Sequence, residues 1–138
     1  MRHIEPNHPY PDLGDIYVYD KNDDIPQLQS SRQTYLTDCK YYDLEDVLGS
    51  PIYDTPSADD KIQKEWICKY VPKDLRDTPD FYLFRIYDFK SESLWNTMNT
   101  LTEWSIGGQP STSAHAEDFA KLIQKFVTIK ELWTATTL

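Results

Sequence analysis

Apolar and polar positions alternate most clearly in the middle of the chain. Ile62, Trp66, Cys68 and Tyr70 fall on one side of an extended run, and Gln63, Glu65 and Lys69 on the other, with Lys64 breaking the apolar side. A polar, proline-bounded connection leads to residues 81–89, the run richest in aromatic and β-branched side chains. The two runs predict an antiparallel hairpin whose loop, about nine residues, exceeds the usual two to five. Residues 91–100 read as a second polar connection containing Leu94, Trp95 and Met98, and 101–106 as a third strand that stops at Gly107 and Gly108. The three strands would pair as a meander.

Beyond the glycines the period changes. Phe119, Leu122, Ile123 and Phe126 recur at helical spacing behind the hydroxyls of Ser111, Thr112 and Ser113, while Glu117 and Asp118 suit the positive end of a helix dipole. Ile129, Leu132 and Trp133 extend or follow this helix, and the threonine-rich end should fray. A short helix over residues 44–48 is predicted earlier, with Asp43 as its cap, Gly49 as its stop and Pro51 preventing continuation. Before it, Pro6, Pro9, Pro11 and Gly14 make residues 1–14 an extended arm. Residues 15–19 then form a short strand, and a polar loop reaches about residue 32. The expected fold class is α+β, a small antiparallel sheet (the three-stranded meander, with or without a further N-terminal strand) packed by a C-terminal helix, plus one short helix. The division is an acidic, proline-rich segment 1–42 and one domain over 43–138.

At 138 residues the chain can bury a core without metal or disulfide. Its two cysteines, Cys39 and Cys68, have no metal-ligand spacing, and Cys68 sits within a strand as a small apolar group. No apolar run reaches the roughly 20 residues of a membrane helix, and the first residues lack the apolar stretch of a secretory signal. A soluble, intracellular protein is expected.

Charge changes the picture more. The net charge is −9, and residues 1–60 hold 13 acidic against 4 basic side chains while the remainder balances. Such a field repels nucleic acid and attracts basic surfaces. The candidate partner-binding carboxylates are Asp15, Asp20, Asp23, Asp24, Asp43, Asp46, Asp59 and Asp60, with Asp12, Asp38, Glu45 and Asp54 in the same series. The expected partner is a protein with a basic surface.

Chemistry is sparse. His3, His8 and His115 match no metal or triad spacing, no nucleophile elbow is present, and no cofactor or metal is expected. The best ligand candidate is the segment holding Gly107, Gly108, Ser111, Thr112 and Ser113, where free amides before a helix could hold phosphate or carboxylate. A tight strand-to-helix turn explains the same residues, and the Walker lysine is missing. Trp66 and Trp104 read as core anchors, and Asp88 and Lys90 beside Tyr87 share one strand side where they can pair.

Glu65-Trp66, Ile86-Tyr87-Asp88-Phe89-Lys90 and Trp104-Ser105-Ile106-Gly107-Gly108, preceded by Val47-Leu48-Gly49-Ser50-Pro51, resemble the pattern of small domains of unknown function encoded by bacteriophages and large DNA viruses. The resemblance covers about residues 43–127. It implies a viral or phage origin and the same α+β meander, but no activity. The long proline-rich hairpin loop departs from that pattern. The leading expectation is a non-enzymatic accessory protein that binds another protein, an acidic inhibitor of a host nucleic-acid-binding or defence factor. The alternatives are a structural component of a virus particle, or a small-ligand binder or enzyme using the Gly107-Gly108 turn.

Overall fold

The computed structural model describes residues 1–27, 30–52, 62, 64–88 and 93–137, with side chains to residue 132. The fold is α+β. Strands β1 (Arg2–Ile4), β2 (Asp15–Val18), β3 (Ser31–Leu36), β4 (Glu65–Val71), β5 (Tyr82–Tyr87) and β6 (Trp104–Gly108) form one antiparallel sheet in the order β1-β2-β4-β5-β6-β3. Helices α1 (Tyr41–Leu48) and α2 (Leu94–Asn99) are short, and α3 (Ser113–Thr137) packs across the sheet.

The predicted meander is the centre of this sheet. β4 and β5 pair from Glu65↔Tyr87 to Tyr70↔Tyr82, and β5 meets β6 through Arg85↔Gly107 and Ile86↔Ile106. Alternation then puts Trp66, Cys68, Tyr70, Phe84, Ile86, Trp104 and Ile106 on the buried side. α3 lays Ala116, Phe119, Leu122, Ile123 and Phe126 onto that side, all fully buried. The Phe119 ring meets Phe84 at 5.1 Å and Tyr70 at 5.8 Å between centroids. Each such buried side chain contributes about 1.5–3 kcal/mol.

In the first 42 residues the strand expected at 15–19 is present as β2, and two unexpected strands join it in the same sheet, β1 beside β2 on one flank of the meander and β3 on the other. Ile4, Ile16, Val18 and Leu36 enter the core, and that burial orders the supposed arm. His8 is held as well: its Nδ1 accepts from the Tyr10 N–H at 3.0 Å and its Nε2–H donates to the Gly14 carbonyl at 2.9 Å. The stretch read as a loop to residue 32 gives way to β3, which pairs Ser31↔Gly108 through Leu36↔Trp104 with a register shift between Arg32 and Thr34.

Four further boundaries move. β6 contains Gly107 and Gly108 instead of ending before them. The polar connection 91–100 holds α2, started by Ser93, whose Oγ accepts from the Asn96 N–H at 3.1 Å. α1 begins at Tyr41, which is 3% exposed, so Asp43 is the third helical residue rather than the cap. Asp43 Oδ2 still reaches back to accept from the Lys40 N–H at 2.9 Å. α3 continues to Thr137, through the end expected to fray. Among the described residues no helix is long and apolar enough to cross a membrane.

Candidate protein-binding surface

β3 ends, β4 begins, β5 ends and β6 begins at one end of the sheet, and α1 and α2 gather there. The motif residues fix them in place. Trp104 Nε1–H donates to the Cys39 carbonyl at 2.8 Å, just before α1, and Trp66 Nε1–H donates to the Gly49 carbonyl at 2.9 Å, just after it. The two indoles meet edge-on at 5.6 Å. Asp88, 2% exposed, accepts from the Lys64 N–H at 3.0 Å and from Thr97 Oγ1–H at 2.5 Å, which secures α2. Trp66 and Trp104 are therefore core anchors, as the sequence predicts. Tyr87 is buried beneath the Arg85 guanidinium, 4.4 Å from its ring centre. Lys90 lies outside the described residues.

α1 touches both α2 and α3. Across these three helices Trp95, Tyr42 and Leu132 are exposed by 67%, 53% and 63%, unusually open for large apolar side chains. Carboxylates accompany them. Asp46 is exposed on α1 one turn after Tyr42, and Asp43 is half-buried between them in sequence. A pocket of ≈ 320 Å³ opens between the segment leading into α1 and the C-terminal half of α3, lined by Thr37, Asp38, Cys39, Gln124, Thr128 and Glu131. Asp38 stands at its rim with φ +58. Burial, reinforced by the carboxylates of Asp43, Asp38 and Glu131, pushes the Cys39 thiol up to about 12. Negative potential therefore converges at this corner.

The other acidic candidates are dispersed. Asp15 lies on β2, where Arg76 Nε donates to Oδ2 at 2.8 Å and His3 Nε2 is 3.3 Å from Oδ1. Asp23 pairs with the Met1 ammonium, which together with the Asp20 N–H holds its carboxyl below the usual range. Asp20 Oδ1 accepts from the Asn22 N–H at 2.7 Å, and Asp24 is exposed in the same turn. Asp59 and Asp60 lie outside the described residues. Asp15 and Asp23 thus meet cations, whereas among the described residues no ion pair holds Asp38, Asp43 or Asp46, a distinction composition cannot make.

The candidate anion segment is not an open cradle of glycine amides. An added Cβ on Gly108 would lie 2.7 Å from Phe84 Cδ1, and one on Gly107 would lie 3.0 Å from Arg85 Cγ, so both glycines admit close packing inside the sheet. Ser111 turns the chain with φ +73. Thr112 Oγ1–H donates to the Gln109 carbonyl at 2.6 Å and Ser113 Oγ–H to Gln33 Oε1 at 2.9 Å. His115 stacks on Tyr82 at 4.2 Å, with Tyr82 Oη 3.0 Å from its Nε2. Among the described residues no group of three or more His, Cys, Asp or Glu could hold a metal.

Trp95, Tyr42, Leu132 and Glu131 were not among the sequence candidates. The signal that could have found Trp95 is Ser93 three residues before Asn96, a helix start that sets a tryptophan on a short amphipathic turn. No protein-family model, curated protein or solved structure matches the chain.

Proposed function

We propose that this chain is a non-enzymatic accessory protein that acts by binding a basic protein through the surface formed by α2, α1 and the end of α3. The observation that carries the reading is the convergence of Asp38, Asp43 and Glu131 around Cys39, on helices that also expose Tyr42, Trp95 and Leu132. Exposed aromatics within a carboxylate field match the usual division of labour at an interface. The rings supply affinity on desolvation, and the charges supply orientation and association rate. A viral or phage origin is supported by the resemblance of the central motifs, and an acidic binder of this kind would occlude the basic site of a host nucleic-acid-binding or defence factor.

The test is affinity capture from host lysate with the purified chain, followed by titration of the captured protein at low and high salt. The comparison variant is Asp38→Asn, Asp43→Asn, Asp46→Asn. Asn retains the Asp43 acceptor and tolerates positive φ at residue 38. Affinity should fall about tenfold or more at low salt and lose most of its salt dependence. Unchanged affinity at low salt would remove the reading.

A further inference from the structure

We infer that the partner presents arginine to this surface, its guanidinium lying on the exposed ring of Trp95; this rests on the protein-binding reading above. The argument comes from how the chain treats its other exposed aromatics. Tyr35 is 42% exposed and carries the Arg32 guanidinium 4.6 Å above its ring, and Phe81, 39% exposed, carries the Lys69 ammonium at 4.6 Å. Half-buried Tyr10 is covered by Lys125 at 4.6 Å. Among the described residues no cation lies over Trp95 or Tyr42, although both are more exposed than Tyr35 and Phe81.

The helices bearing them explain the difference. α2 contains no charged side chain, and the charges of α1 are Asp43, Glu45 and Asp46, with Lys40 ahead of them and the buried Lys64 ammonium 5.2 Å from the ring centre of buried Tyr41. A tryptophan face attracts a cation most strongly of the aromatic side chains, and carboxylates on the neighbouring helix add to that attraction. Arginine fits better than lysine because its planar guanidinium stacks on the ring while its edge still donates to carboxylates, and because it sheds water more readily. The helix that carries the ring is fixed: Thr97, two residues on, is fully buried against Asp88, and Ser93 caps the helix before it.

The full chain is titrated with octa-arginine and octa-lysine peptides at low salt, following tryptophan emission and, in parallel, heat. The peptides carry equal charge, so charge alone predicts equal affinity. The expected result is octa-arginine binding about tenfold tighter, a preference that disappears in Trp95→Ala and is largely kept in Trp95→Tyr. Equal binding of both peptides, or a preference that survives Trp95→Ala, overturns the arginine assignment and leaves the acidic reading standing. Failure of the wild-type chain to bind either peptide overturns both. Trp95 is solvent-exposed, and the circular dichroism of Trp95→Ala should match the parent.

Discussion

Thr97 on α2 donates its hydroxyl hydrogen to the buried carboxylate of Asp88 at 2.5 Å, across nine residues of chain. Asp88 also accepts the Lys64 N–H, so one carboxylate joins the approach to β4, the end of β5 and the only connection that carries an exposed tryptophan among the described residues. The presentation of the proposed surface therefore depends on a residue with almost no contact with water.

Asp88→Asn should destabilise the protein by about 1–3 kcal/mol, because a charge-assisted bond is lost in a site closed to solvent. Thr97→Val should cost less. Since the two share one interaction, the double variant should fall short of the sum by more than about 0.5 kcal/mol in denaturant titrations. Additive losses would mean that the bond is not energetically coupled.

Trp104→Phe removes the donor to a buried Cys39 carbonyl, and Trp66→Phe removes the donor to the more accessible Gly49 carbonyl. Both should lower stability, by about 1–3 kcal/mol for the lost bond at Trp104 and less at Trp66, where water can substitute. Hydrogen exchange of α1 amides should accelerate in both, and unchanged protection there would show that the indoles do not anchor the helix.

Gly108→Ala should cost about 1–3 kcal/mol, since the new Cβ meets the Phe84 ring at 2.7 and 2.8 Å. Gly107→Ala meets Arg85 Cγ, Ser30 Oγ and Tyr87 Cε1 at 3.0–3.2 Å, the first two of which can move, and should cost less. Thermal melts of the two variants settle the order.

Alkaline pH should weaken the fold. Burial raises Cys39 from 9.0 to about 12 and Tyr70 from 10.0 to about 12, and raises Cys68 as well. Well below pH 9 these groups are protonated in both states and contribute no pH dependence. Above their unfolded values only the folded chain keeps the protons, so stability falls by about 1.4 kcal/mol per pH unit for each group, until pH passes its folded value. Unfolding free energies measured at pH 8, 9, 10 and 11 should decline with increasing slope, and Cys39→Ala should flatten it. The same burial keeps both thiols unreactive toward alkylating reagents at pH 8 until the chain is unfolded.

The parts legible in sequence were those whose partners lie close along the chain. The β4 run alternates cleanly because it has one buried side, β5 is marked by its aromatic and β-branched residues, and α3 repeats its apolar residues because one stripe faces the sheet. β3 was hidden: Ser31–Leu36 is an edge strand with one buried residue, and its register shift disrupts the alternation that would reveal it. Gly107 and Gly108 read as a turn because their packing against β5 depends on neighbours such as Phe84 and Arg85, distant in sequence. The acids of the binding surface were visible as acids. Which of them remain outside internal pairs was not, since Arg76 reaches Asp15 from 61 residues away.

The order β1-β2-β4-β5-β6-β3 places the earliest-made strands on both outer flanks of a meander synthesised later. On the ribosome, β3 has no partner until β6 emerges, with about seventy residues translated in between, and β2 waits similarly for β4. Folding of the sheet is therefore dominated by distant pairings and slow for its size. Until then the N-terminal strands expose unpaired edges, so the acidity of the first sixty residues has a second effect: mutual repulsion keeps nascent chains apart during the interval when they are most prone to associate.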